Sequence, residues 1–183
     1  DQVGKVEWGD LNDFLELRED LIKEDKSIAW DISKLRKEIF RIKLSHVNPT
    51  ELRDEIVNKA FEIFISKRHE VTFFDGVKRC ISDLSEKYSL GILTNGNADI
   101  YKFDIGKYFK FSISSLEAKD SKPNRSHFDM ALTKVNGVGF ENVLHIGDHQ
   151  VNDIFAANEL GIDCLWFNNN NVQWEQNFKK PDE

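Results

Sequence analysis

The sequence has few cysteines and no long apolar run, and these shortages narrow the class of protein. Cys80 and Cys164 both lie in apolar surroundings and neither belongs to a Cys-x-x-Cys pair. We expect both thiols to be buried and reduced, with a disulfide between them as the minor alternative. No apolar run approaches the roughly 20 residues that cross a bilayer, and nothing near the start resembles a signal peptide. These features predict a cytoplasmic protein without a membrane partner.

An excess of basic residues is also lacking. The 183 residues include 25 basic and 32 acidic side chains, for a net charge of -7, which argues against non-specific nucleic-acid binding. The length suffices for one full core, or for a core domain and a small second unit. Methionine occurs once, at Met130, and the chain begins with Asp1. We therefore expect either a removed initiator or a longer N-terminus.

The hydrophobic pattern changes near residue 70. Before it, apolar residues recur at helical spacing in three stretches and no strand pattern is convincing. After His69, short apolar strands near 90–93, 109–113, 143–146 and 164–167 alternate with helices. This alternation is typical of right-handed βαβ units, and predicts a Rossmann-like parallel sheet with helices on both faces. We predict an α-helical domain over 1–70 and an α/β core over 71–183.

Two carboxylates follow the third predicted strand. Val143, Leu144 and Ile146 indicate a buried parallel strand, after which the chain reads Gly147-Asp148, with Asp153 in the first turn of a helix predicted over 151–160. Carboxyl ends of parallel strands are where open α/β sheets hold ligands, and paired carboxylates suit Mg²⁺. The alternative is that both aspartates only favour the helix N-terminus, Asp148 as its cap.

Two other strand ends carry polar groups. The second predicted strand begins at 109 and is followed by Lys122, whose charge can neutralise a phosphoryl group or carboxylate. The strand ending at Leu93 runs into Thr94, Asn95 and Gly96, a turn whose N–H groups and hydroxyl can grip phosphoryl oxygens. The ordinary alternative for Thr94, Asn95 and Gly96 is a strand-to-helix turn. The ordinary alternative for Lys122 is a solvated surface lysine.

We interpret His145 and a set of aromatic residues as structural rather than functional. His145 lies within a strand, on the face opposite Leu144 and Ile146, and we interpret it as a satisfied core histidine rather than a ligand. A stripe of aromatic residues, which we assign to the core, comprises Phe61, Phe64, Phe73 and Phe74.

The order of the three motifs resembles the haloacid dehalogenase-like hydrolase superfamily over residues 70–168, and the helices before residue 70 resemble its α-helical cap. The resemblance implies a phosphatase of small phosphorylated metabolites that uses Mg²⁺. Thr94 and the Asn95 and Gly96 backbone would then bind the phosphoryl group, and Lys122 would stabilise charge on an aspartyl nucleophile. Asp148 and Asp153 would hold the metal ion.

The chain departs from that family at its first motif, a strand followed by Asp-x-Asp, because no Asp-x-Asp occurs anywhere in the sequence. We expect a native N-terminal segment with these aspartates to be absent here, leaving this chain inactive and its sheet with two unpaired edges. Two alternatives remain: carbon–halogen cleavage on the same fold, and a non-catalytic binding protein. The sequence does not determine the substrate or the oligomeric state.

Overall fold

The computed structural model describes residues 3–178 and 180–181. The chain divides into two compact units, a helical unit of Asp1–Tyr88 with Gly96–Tyr108 and an α/β unit of Ser89–Asn95 with Phe109–Glu183. The helical unit thus includes residues beyond 70, and the predicted division into 1–70 and 71–183 stays a prediction. No helix in the described part of the chain is both long enough and apolar enough to cross a membrane.

The helical unit begins each of its first two helices at an aspartate. The Asp10 carboxylate accepts hydrogen bonds from the Asn12 and Asp13 N–H groups, and the Asp13 carboxylate accepts one from the Asp10 N–H. Asp31 caps the second helix through the Lys34 N–H at 2.8 Å. The unit contains α1 (Leu11–Glu24), α2 (Ile32–Lys43), α3 (Thr50–Arg68) and α4 (Val77–Ser85), with 3₁₀ turns at Lys26–Ala29, Ile100–Lys102 and Asp104–Tyr108.

Two small apolar clusters form the core of the helical unit. One contains Ile28, Leu35 and Ile39, and the other contains Leu44, Val47 and Val57. The predicted aromatic core stripe is wrong at Phe74, whose exposed fraction is 59%. The predicted burial of Cys80 is also wrong, because α4 carries its thiol on an exposed face.

The α/β unit contains two pairs of parallel strands. Strand β1 (Leu90–Thr94) pairs with β2 (Phe109–Ser114), and β3 (Leu144–Gly147) pairs with β4 (Asp163–Trp166). Among the described residues these pairs are separate two-stranded sheets. The α/β class with parallel strands, predicted from alternation, is confirmed. The helical segments here are α5 (Ser115–Ala118), α6 (Ser126–Lys134), a 3₁₀ turn at Phe140–Asn142, a π-helical segment at Gln150–Phe155 and α7 (Ala156–Asn158).

The segment after β3 differs from the single helix predicted over 151–160. Residues Gln150–Phe155 form a π-helix, in which the Ile154 N–H donates to the His149 carbonyl at 3.3 Å. The wider turn is associated with functional sites. Gly161 has a φ of +69° just beyond the last helical turn, a position where glycine commonly ends a helix.

The strands pack against helices on one face, and the opposite face of β3 is exposed. Phe128 of α6 and Ala157 of α7 form a core cluster against Leu93 and Val143. On the opposite face of β3, Leu144 and Ile146 are 58% and 52% exposed. Their predicted burial is therefore wrong, because no described segment covers that face.

Candidate active site

A buried ion pair links two of the predicted site residues within the α/β unit. The Lys122 Nζ lies 2.5 Å from Asp153 Oδ1, and both side chains are 8% exposed. The same Nζ donates to the Leu93 carbonyl at 2.9 Å, at the end of β1. A buried pair is tolerated only when the remaining hydrogen-bonding capacity of both groups is satisfied. The two charges are therefore held in one arrangement.

The carboxylate of Asp153 accepts hydrogen bonds on both oxygens. His145 Nε2 lies 3.2 Å from Oδ1, and the His149 N–H donates to Oδ2 at 3.1 Å. Burial alone would raise the pKa of Asp153, but the hydrogen bond from His145 and the charge of Lys122 outweigh it. The net effect holds the pKa of this carboxyl well below its usual range, so Asp153 is ionised at neutral pH.

Asn95 fixes the backbone of Lys122. Its Oδ1 accepts from the Lys122 N–H at 2.8 Å, and its Nδ2 donates to the Lys122 carbonyl at 2.9 Å. The fully buried Ser115 donates its hydroxyl to the same Oδ1 at 3.1 Å. One amide side chain thus pairs with both backbone groups of a residue 27 positions away. This side-chain role was not predicted, since the sequence suggested only the Asn95 backbone.

A fully buried histidine supports Thr94. The His127 Nε2 lies 3.2 Å from the Thr94 carbonyl, while its Nδ1 is buried without a partner. Burial lowers the pKa of His127, although the hydrogen bond to Thr94 opposes that effect. The neutral ring with its proton on Nε2 fits this environment, because it donates to the carbonyl and leaves no buried proton unpaired. Sequence analysis missed His127, which no motif marks.

Gly147 allows the close approach of Asp153 to the end of β3. A Cβ at position 147 would lie 2.3 Å from Asp153 Cγ. Asp148, the next residue, has an exposed side chain, and its carbonyl accepts a hydrogen bond from Trp166 Nε1 at 2.9 Å. The two late aspartates therefore differ, one buried and paired and the other at the surface.

Gly147→Ala is expected to lower the free energy of unfolding by about 1–3 kcal/mol, because the new methyl group overlaps a carboxylate that three donors hold in place. Urea denaturation measures the change. The matched control is Gly139→Ala, where a Cβ would meet the carboxylate end of the exposed Glu141 at 2.3 Å, a flexible group that can move away. Equal losses in the two variants would contradict the constraint at Gly147.

The described residues contain no group of three or more His, Cys, Asp or Glu side chains positioned to hold a metal ion. Asp148 nevertheless fits one requirement of Mg²⁺, which binds proteins through one or two carboxylates and keeps several waters. Asp153 fits this role less well, because Lys122, His145 and the His149 N–H already occupy its oxygens.

The structure thus brings together Asn95, Lys122 and Asp153, with Thr94 anchored beside them through His127. Gly96 begins a segment assigned to the helical unit, so its predicted contribution stays a prediction.

Comparisons with known proteins indicate the family to which the chain is related. The profile of the haloacid dehalogenase-like hydrolase family matches residues 23–167. The chain is 33% identical over 86 residues to the 5-amino-6-(5-phospho-D-ribitylamino)uracil phosphatase YigB of Escherichia coli (strain K12), which is 47% of this chain and 36% of that protein. It is 26% identical over 128 residues to the pyrimidine 5'-nucleotidase YjjG of the same strain, covering 67% and 54% respectively.

A solved structure extends the similarity to nearly the whole chain. The 2-haloacid dehalogenase from Pseudomonas syringae pv. Tomato DC3000 superposes with a TM-score of 0.85 at 28% identity, over 96% of this chain and 75% of that one. This chain belongs to the haloacid dehalogenase-like hydrolase family. The chain matches 36% of the length of the first of these two curated relatives and 54% of the length of the second.

Proposed function

We propose that this chain forms the cap and most of the core of a Mg²⁺-dependent phosphatase that hydrolyses a small phosphorylated metabolite through an aspartyl-phosphate. The observation that carries the proposal is the buried contact of Lys122 with Asp153, at the ends of two strands. Phosphoryl transfer depends chiefly on positioning and on stabilising negative charge. Two relatives whose names describe phosphate-ester hydrolysis support the same reaction class.

Each residue of the site has a distinct task in this proposal. Thr94 and the Asn95 backbone bind phosphoryl oxygens, while the Asn95 side chain positions Lys122. The Lys122 ammonium stabilises negative charge on the attacking carboxylate and on the phosphoryl group. Asp153 keeps that ammonium in place through the buried ion pair.

The proposed Mg²⁺ would be held by the exposed carboxylate of Asp148 together with ligands from outside the described residues. A bound Mg²⁺ supplies charge stabilisation for phosphoryl oxygens. The attacking carboxylate has no candidate within the 183 residues, since they contain no Asp-x-Asp. We therefore propose that this chain alone does not turn over substrate, and that a preceding segment supplies the aspartates.

A second candidate is carbon–halogen cleavage, which the similarity to a 2-haloacid dehalogenase structure favours. That reaction needs no metal ion, so chelation separates the two candidates. Chloride release from a 2-chlorocarboxylate that persists in EDTA would favour the dehalogenase. Phosphate release that EDTA abolishes would favour the phosphatase.

The direct test begins with the coding sequence upstream of Asp1, where we expect an apolar run followed by Asp-x-Asp. The longer protein should release phosphate from para-nitrophenyl phosphate in the presence of Mg²⁺. Lys122→Met should lower its kcat by about 100-fold or more, because it removes a positive charge at the reacting group. Lys110→Met is the control, since Lys110 is exposed and its Nζ donates to the Ser89 hydroxyl rather than to a site residue.

Two results would contradict the proposal. The first is an upstream sequence without Asp-x-Asp. The second is phosphate release by the 183-residue chain itself that Lys122→Ala abolishes, since it would show that a preceding nucleophile is unnecessary.

A further inference from the structure

Three cations on α2 and α3 of the helical unit lie over aromatic rings. The Arg36 guanidinium carbon is 4.8 Å from the ring centroid of Phe14 and 4.4 Å from that of Phe64. Arg68 shares the Phe64 ring, at 5.7 Å. We name this group the Arg36–Arg68 cluster, with the following members: Arg36, Lys37, Arg68, Phe14, Phe61 and Phe64.

Within the described part of the chain, neither Arg36 nor Arg68 forms a side-chain hydrogen bond or an ion pair, and both guanidinium groups lie over aromatic rings. The third cation, Lys37, lies 4.9 Å from the Phe61 ring and donates to the neutral amide of Asn58 at 3.0 Å.

Two other cations of α2 do have acidic partners. Arg41, on the same helix as Arg36, bonds both Glu38 and Asp54, and Lys34 bonds Asp25 at 2.8 Å. The chain carries 32 acidic side chains against 25 basic ones, so carboxylates are not scarce. The cluster therefore gathers three positive charges that form no ion pair with the carboxylates of the described residues.

An anion would pair with N–H donors that the aromatic rings do not satisfy. Burial lowers the pKa of Arg36, and the nearby charge of Arg68 lowers it further. A guanidinium nevertheless stays protonated in proteins, so both groups carry charge. Contacts with ring faces attract the cation but do not satisfy its N–H donors, of which each guanidinium has five.

We propose that Arg36 and Arg68 form a binding site for a small oxyanion, a phosphate or carboxylate group of a small molecule. The planar fork of a guanidinium matches both groups through paired N–H···O bonds. The Phe14 and Phe64 rings both contact the Arg36 guanidinium and limit its orientations. This site lies within the helical unit and goes beyond the proposed function, whose groups lie in the α/β unit.

The test uses the 183-residue chain and observes the arginine Nε–H signals by NMR during titration with inorganic phosphate, at constant ionic strength. Arg36→Gln and Arg68→Gln assign the two signals. We expect saturable shifts of both in the wild-type chain, and an affinity at least about tenfold weaker in each variant, since charge-assisted hydrogen bonds are lost. Arg79→Gln is the control, because Arg79 lies on α4 of the same unit and is 90% exposed.

Backbone amide signals of Thr94 and Lys122 report phosphate binding at the α/β unit separately, so failure of one site is distinguishable from failure of the other. A parallel titration with acetate separates the two sources of the oxyanion: binding of acetate assigns the carboxylate class, and binding of phosphate alone assigns the phosphate class. Should Arg36→Gln fail to fold, Arg68→Gln carries the test, because Arg68 is exposed. Linear shifts without saturation, or an equal loss in Arg79→Gln, would overturn the proposal.

Discussion

Replacing Asp153 with alanine is expected to lower the free energy of unfolding by about 3–5 kcal/mol, because it leaves the Lys122 ammonium buried without its counter-charge. The same change removes the acceptor of His145 Nε2 and of the His149 N–H. Denaturation in urea at pH 7, followed by circular dichroism, measures the loss. The double replacement Lys122→Met with Asp153→Leu should recover much of it, since no buried charge is then left unpaired.

The control for this prediction is an exposed ion pair. Lys34→Ala breaks the contact with Asp25 and should change the free energy of unfolding little, because the Lys34 and Asp25 side chains are 47% and 44% exposed. The pH dependence gives a second check. Since the folded state lowers the pKa of Asp153, its stabilisation is complete above the ordinary value of 3.8 and is lost as the pH falls below it. An Asp153→Ala effect that is equal at pH 7 and pH 2.5 would contradict the ion-pair explanation.

Ile113→Ala is expected to cost about 2–5 kcal/mol, because this β2 side chain is 1% exposed and its truncation leaves a cavity. Chemical denaturation of the 183-residue chain measures the loss. The matched control is Ile146→Ala on β3, where the side chain is 52% exposed and we expect a loss below about 1 kcal/mol.

These two isoleucines test the open face of the α/β unit. A loss at Ile146 as large as that at Ile113 would show that this face of β3 is covered in solution, contrary to the structure. In the longer protein that we propose, the Ile146→Ala effect should rise, since the exposed Leu144 and Ile146 would then pack against the added segment.

The hydrophobic period and the turn residues were sufficient to predict much of the fold. Alternation of short apolar strands with helices predicted the parallel α/β class, and the three strand-end motifs predicted the family; both are confirmed. Burial was predicted less well, because alternation identifies two faces of a strand but not which face is covered. Leu144 and Ile146 were assigned to the wrong face for this reason.

By itself, the sequence determined which chemical groups stand at the strand ends: the hydroxyl of Thr94, the ammonium of Lys122, and the carboxylates of Asp148 and Asp153. Only the tertiary structure decided how they pair. Asp153 lies five positions from Asp148, yet its carboxylate bonds Lys122, 31 positions away. The physical reason is that partners of a buried charge are chosen by which strands and turns pack together, and local spacing carries no information on that choice.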